Sequence, residues 1–111
     1  MIITVEIDNV ISTPVSSRMA LDDVPNCTLL PGAKEALDGF KKMGHTVIIF
    51  TRRDGSLGPA TEVWLQKNQI PYQRILCNKP IADLSIDHHT CKFTDWPTVL
   101  EANKYLLNNL R

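Results

Sequence analysis

The stretch ITVEIDNVIS, residues 3–12, decides how the rest of the chain is read. It is a near-continuous β-branched run, the pattern of a strand buried on both faces. It carries two acids, Glu6 and Asp8, on either side of Ile7. Alternate residues of a strand project to one face, so the pattern predicts two carboxylates side by side near the strand's carboxyl end. Like charges so placed are costly unless something uses them, and a divalent cation is the first candidate.

Reading outward, STPVSSRMALDDVPNCTLLPG (12–32) has three prolines, several serines and no hydrophobic period. It reads as a long loop, with room for a short helical turn or hairpin, and a loop of that length in a small domain usually has a function. PGAKEALDGFKKMGH reads as a helix entered at Pro31 and left at Gly44, with Ala33, Ala36, Leu37, Phe40 and Met43 on one face. TVIIF (46–50) is a second buried strand, followed by the polar loop TRRDGSLG. PATEVWLQKNQI reads as a helix with Ala60, Val63 and Trp64 inward. YQRILCN and ADLSID (82–87) read as third and fourth strands, and KFTDW as room for a brief fifth. Asp95 is placed to cap a terminal helix with Pro97 in its first turn. Val99, Leu106 and Leu110 share a face of that helix, with Leu100 and Leu107 beside it. Trp64, Trp96 and Tyr105 are read as core residues.

Alternation of strands and helices, with strands apolar on both sides, argues an α/β fold. The expectation is a three-layer Rossmann-like sandwich with a mostly parallel sheet and helices on both faces. The 111 residues suit a single domain over 1–111, without a large cap. Twelve basic and twelve acidic residues cancel, which argues against nucleic acid and against a polybasic membrane anchor. No signal-like segment or apolar run of about 18 residues appears, so a cytoplasmic protein is expected. Cys27, Cys77 and Cys91 lack CxxC spacing and read as reduced thiols; Cys91 with His88 and His89 is the metal-site alternative.

In parallel sheets the ligand crevice lies at the carboxyl ends of the strands. Glu6 and Asp8 fall at the first such end, Thr51 with Arg52 and Arg53 at the second, Asn78 and Lys79 after the third, and Asp87 with His88 and His89 at the fourth. Carboxylates, a hydroxyl and an ammonium meeting on one edge suit a phosphate bound beside Mg²⁺. Of the arginines, either could grip an anion, but solvated loop charge is the reading favoured here. His88 is placed to line the site and His89 to cap the following turn.

These four segments together resemble the haloacid dehalogenase-like superfamily, and its small capless phosphatases in particular. VEIDNVI is similar to the family's strand ending Asp-x-Asp, TVIIFT to its strand ending in Thr or Ser, CNKP to its Lys motif, and KPIADLSIDHH to its last acidic motif. The resemblance implies a nucleophile position at Glu6 and a general acid/base at Asp8, whose main-chain carbonyl also binds metal. It implies a phosphate-binding Thr51 beside Arg52, a Lys79 that neutralises charge, and Mg²⁺ held by Glu6, Asp8 and Asp87. It places a flap at 12–32, a small phosphorylated substrate in an open mouth, and a homo-oligomer as a possible cap. Bacterial receiver domains, similar in size and also α/β, need an acid after the third strand, and none stands there.

Glu6 departs from the family's Asp. It is longer by one C–C bond, about 1.5 Å, and misplacement of reacting atoms by ~1 Å can cost on the order of 100-fold. Asn9 and Val10 replace the usual Gly-Thr, and His88 replaces the frequent second acid. Two functions are therefore expected: a weak or specialised Mg²⁺-dependent phosphohydrolase, or a catalytically silent domain binding a phosphorylated ligand or a protein partner.

Overall fold

The computed structural model describes residues 1–14, 21–53, 55–76, 82–87 and 93–109. Strand β1 (Ile2–Glu6) is followed by helix α1 (Ala33–Lys42) and strand β2 (Thr46–Phe50). Helix α2 (Gly58–Lys67), strand β3 (Arg74–Leu76), strand β4 (Leu84–Ile86) and helix α3 (Trp96–Asn109) follow. The sheet order is β3-β2-β1-β4 and every pairing is parallel. The fold is thus α/β and Rossmann-like, and the sheet is wholly parallel.

The register explains the β-branched strands. Ile3 pairs with Val47 and Leu84, and Val5 with Ile49 and Ile86, and all six are buried on one face. Thr4 and Glu6, on the other face of β1, are buried as well, so the central strand is apolar on one side and closed to solvent on both. These residues join Leu37, Phe40, Trp64, Leu65 and Trp96 in one core cluster. α3 lies along α1. The Trp96 ring meets Phe40 edge-on at 6.2 Å, its indole N–H donates to the Val10 carbonyl at 3.0 Å, and His45 Nε2 bonds the Leu107 carbonyl at 3.0 Å.

Helix ends follow local chemistry. Gly44 (φ 86°) closes α1 in a Schellman motif: its amide bonds the Lys41 carbonyl and that of His45 bonds Phe40. α2 ends the same way with Gln69 (φ 56°) in the left-handed position, Gln69 bonding Gln66 and Ile70 bonding Leu65. Gly32 opens α1 at φ 85°, where a Cβ would stand 3.1 Å from that of Trp96. At the start of α3 the Asp95 carboxylate accepts from the Thr98 amide at 2.8 Å. These bonds hold its carboxyl below the usual range.

Several expectations are corrected. Val63 points to solvent, while Thr61 and Leu65 join Trp64 on the inward face of α2, which packs against the segment before α1. Met43 lies at the C-cap and is exposed, and Tyr105 is on the outer face of α3. Phe93–Asp95 are not a strand: Phe93 turns its ring against Trp96 at 5.3 Å and leads directly into α3. Cys77, Cys91 and Leu110 lie outside the described residues. Among the described residues, no helix is long and apolar enough to cross a membrane.

Candidate functional site

β1 stops pairing at Glu6, and the chain then coils tightly. The Ile7 carbonyl accepts from the amides of Val10, Ile11 and Ser12 at 3.2, 2.8 and 3.0 Å. Asn9 takes φ 65° within this coil, a conformation Gly adopts freely and Asn tolerates. Asn in place of Gly therefore leaves the loop's shape accessible. The coil delivers Ser12 into bridges with Asp8 and Leu29. The amide of Thr13 donates to the Thr28 carbonyl and that of Leu30 to Ile11, each at 2.8 Å. The expected loop over 12–32 thus has a hydrogen-bonded base and a 3₁₀ turn at Leu21–Asn26. Trp64 ties it to α2 through an N–H bond to the Cys27 carbonyl at 2.9 Å.

Three polar residues close the carboxyl ends of three neighbouring strands. Glu6 ends β1, Thr51 follows β2 and Asp87 follows β4, at 3%, 6% and 2% exposure. Continuing the β1–β4 register one step past Val5 and Ile86 brings Asp87 level with Glu6. Thr51 extends the ladder to β3 through its amide, and its Oγ1 accepts from the Arg53 amide at 3.0 Å.

The two arginines separate sharply. Arg52 is 67% exposed, its Nε 4.0 Å from Glu6 Oε2, beyond hydrogen-bonding distance. Arg53, read from sequence as solvated loop charge, has a side chain only 2% exposed. Its Nη2 donates to Asp8 Oδ1 at 2.9 Å, and its Nε lies 3.2 Å from both Asp8 oxygens. Nη2 also reaches Ser12 Oγ at 3.2 Å, and Nη1 reaches Thr61 Oγ1 at 3.1 Å. This one guanidinium joins Asp8 and Ser12 of the segment after β1 to Thr61 of α2. A signal for it lay in the sequence: β1 and β2 are the first pair of a βαβ unit, so the residues just past their ends face each other. An acid on one and two arginines on the other imply a pair.

Asp8 is therefore paired beyond the end of the strand, both of its oxygens engaged as acceptors. Glu6 and Asp8 meet different arginines. Lys79, His88 and His89 lie outside the described residues. Among the described residues, no three His, Cys, Asp or Glu side chains gather as a metal site. The donor chemistry still suits Mg²⁺, a hard cation that takes carboxylate and carbonyl oxygens and keeps several waters. With the Asp8 side chain on Arg53, the groups that would hold such a cation are the Glu6 and Asp87 carboxylates and the Asp8 main-chain carbonyl.

No family model and no curated protein matches the chain. Among solved structures it is similar to a conserved protein from Bacteroides thetaiotaomicron, with 22% identity and a TM-score of 0.74 over 96% of this chain and 91% of that one. It is also similar to a chain in two structures of the Pnkp1/Rnl/Hen1 RNA repair complex. Identities there are 17% and 18%, with TM-scores of 0.57 and 0.56 over 98% of this chain. It spans 34% and 32% of those chains, about a third of their length. At such identities the likeness shows the fold alone.

Proposed function

We propose that this chain is a phosphate-handling domain of haloacid dehalogenase-like type, which binds a phosphomonoester with Mg²⁺ at the carboxyl edge of its sheet and hydrolyses it slowly. One observation carries the reading: Glu6, Thr51 and Asp87 are buried polar residues closing three adjacent parallel strands. Carboxylate oxygens suit a hard divalent cation, and this edge is where α/β sheets place their ligands.

Each residue has a part. The Glu6 carboxylate attacks phosphorus, the bond to the esterified oxygen breaks, and water cleaves the resulting acyl phosphate. Thr51 donates its hydroxyl to a phosphate oxygen, and Lys79 offsets negative charge. Glu6, Asp87 and the Asp8 carbonyl would hold Mg²⁺, which would offset the charge on the phosphate oxygens. Proton transfer to the leaving alcohol falls to Asp8, which must first release Arg53. The longer Glu6 and the engaged Asp8 both lower the rate.

A second reading, binding of a phosphorylated ligand or protein partner without turnover, is favoured by that same Asp8–Arg53 pair. An aryl phosphate assay with and without Mg²⁺ separates the two, using wild type, Glu6→Asp and Asp87→Asn. The first reading expects slow wild-type turnover that Glu6→Asp accelerates and Asp87→Asn abolishes. No turnover in any variant, with Mg²⁺-dependent phosphate binding intact, selects the second.

A further inference from the structure

Beside Thr51, on the flank away from β1, a cavity of about 220 Å³ opens between β3 and the start of α2. Thr51, Arg53, Pro59, Glu62, Ile75 and Leu76 are among the residues that line it, Glu62 being exposed. It therefore shares a wall with the position proposed for the phosphate. Its volume is below the ~300–1,000 Å³ of drug-sized pockets and suits a single ring or a short chain.

The charges on its walls narrow the occupant. Arg53 is the cation among the described lining residues, but its guanidinium donates to Asp8, Ser12 and Thr61. It is neutralised where it stands and offers little to a second anion. Glu62, exposed at the rim, adds a negative charge and accepts hydrogen bonds. Ile75, Leu76 and Pro59 provide apolar lining for C–H groups. Such a surface favours a group that is neutral, hydroxyl-bearing and partly apolar, and disfavours a second phosphate or carboxylate.

We infer that this cavity is the subsite for the esterified group of the substrate, and that it selects phosphomonoesters of small neutral polyols or pentoses. The inference rests on the proposed phosphate site. Glu62 is its specificity-determining residue, accepting from substrate hydroxyls, and the apolar lining residues cover the carbon face.

The test is binding, followed by amide shifts in NMR with Mg²⁺ present. The probes are inorganic phosphate, ribose 5-phosphate, phenyl phosphate and fructose 1,6-bisphosphate. Ribose 5-phosphate is expected to bind about tenfold tighter than inorganic phosphate, the scale of one hydrogen bond to a charged acceptor. It should shift the Gly58 and Leu76 amides as well as Thr51. Glu62→Gln, a change at an exposed position, is expected to remove that advantage and leave inorganic phosphate unaffected. The inference is overturned if ribose 5-phosphate binds no tighter than inorganic phosphate, if phenyl phosphate or the bisphosphate matches it, or if Glu62→Gln changes nothing. If inorganic phosphate itself leaves Thr51 unmoved, the underlying phosphate site fails and the subsite with it.

Discussion

Arg52 and Arg53 are neighbours in sequence, and the structure assigns them opposite energetic roles. Arg53 is 2% exposed and Asp8 22%, with contacts of 2.9 and 3.2 Å between them. Replacing Arg53 by Leu removes the ion pair and the donors to Ser12 and Thr61, and leaves Asp8 largely desolvated. Breaking such a pair by removing one partner costs about 3–5 kcal/mol. Arg52 is 67% exposed and 4.0 Å from Glu6. Solvent screens that pair, and exposed pairs contribute about 0–1 kcal/mol. Urea unfolding should place Arg53→Leu at least about 3 kcal/mol below wild type, and Arg52→Leu within about 1 kcal/mol of it. For a chain near 100 residues the larger loss lowers Tm by about 12 °C or more. Adding Asp8→Asn to Arg53→Leu should cost much less than the two separate losses combined, because the second change removes a charge the first has stranded. Equal effects at 52 and 53, or additive effects at 8 and 53, would refute the reasoning.

Gly32→Ala is expected to destabilise by about 1–3 kcal/mol, since it combines a left-handed backbone with a close approach to Trp96; thermal unfolding tests this, and an unchanged midpoint counts against it. Gln69→Gly is expected to stabilise by about 0.5–1 kcal/mol, the left-handed penalty relieved less the entropy of Gly; a loss of stability in urea would contradict this. Asp95 has its carboxyl held down by the Thr98 bonds, so its cap on α3 is fully present above the ordinary carboxylate range and is lost as pH falls through the lowered value. The Thr98 amide shift should report a midpoint below that of an unperturbed Asp, and Asp95→Ala should abolish the transition.

Much of the fold was legible because its signals are local. The β-branched runs of β1 and β2, the glycine after α1 and the Asp95-x-x-Thr98 cap each identify an element within a few residues. Errors arose where tertiary packing overrides period. The alternation around Val63 and Trp64 fits an inward face at either position, and only contact with the segment before α1 decides between them. Tyr105 shows the same weakness, since an aromatic residue on a helix does not declare its face. The site was legible as a set of strand ends, because topology brings those together. The roles of Arg52 and Arg53 were not, since one residue's displacement past the end of β2 exchanges solvent for the interior.

The balance of charge at the strand ends sets the final expectation. Arg53 is matched to Asp8, Arg52 stands 4.0 Å from Glu6, and Glu6 and Asp87 are both buried. Among the described residues at these strand ends, Glu6, Asp8 and Asp87 exceed Arg52 and Arg53 by one negative charge, which disfavours a phosphate. On the function proposed above, a divalent cation held by Glu6 and Asp87 would reverse that sign. Phosphate and Mg²⁺ should therefore bind with positive coupling, and linkage requires each to raise the other's affinity by the same factor. Titration calorimetry should show inorganic phosphate binding about tenfold tighter with Mg²⁺ saturating, and Asp87→Asn should remove the coupling by halving the carboxylate charge. Tight phosphate binding without Mg²⁺ would place a different cation at the edge, with Lys79 the first to replace. Mg²⁺ binding that phosphate does not change would separate the two ligands and remove the basis for hydrolysis at this site.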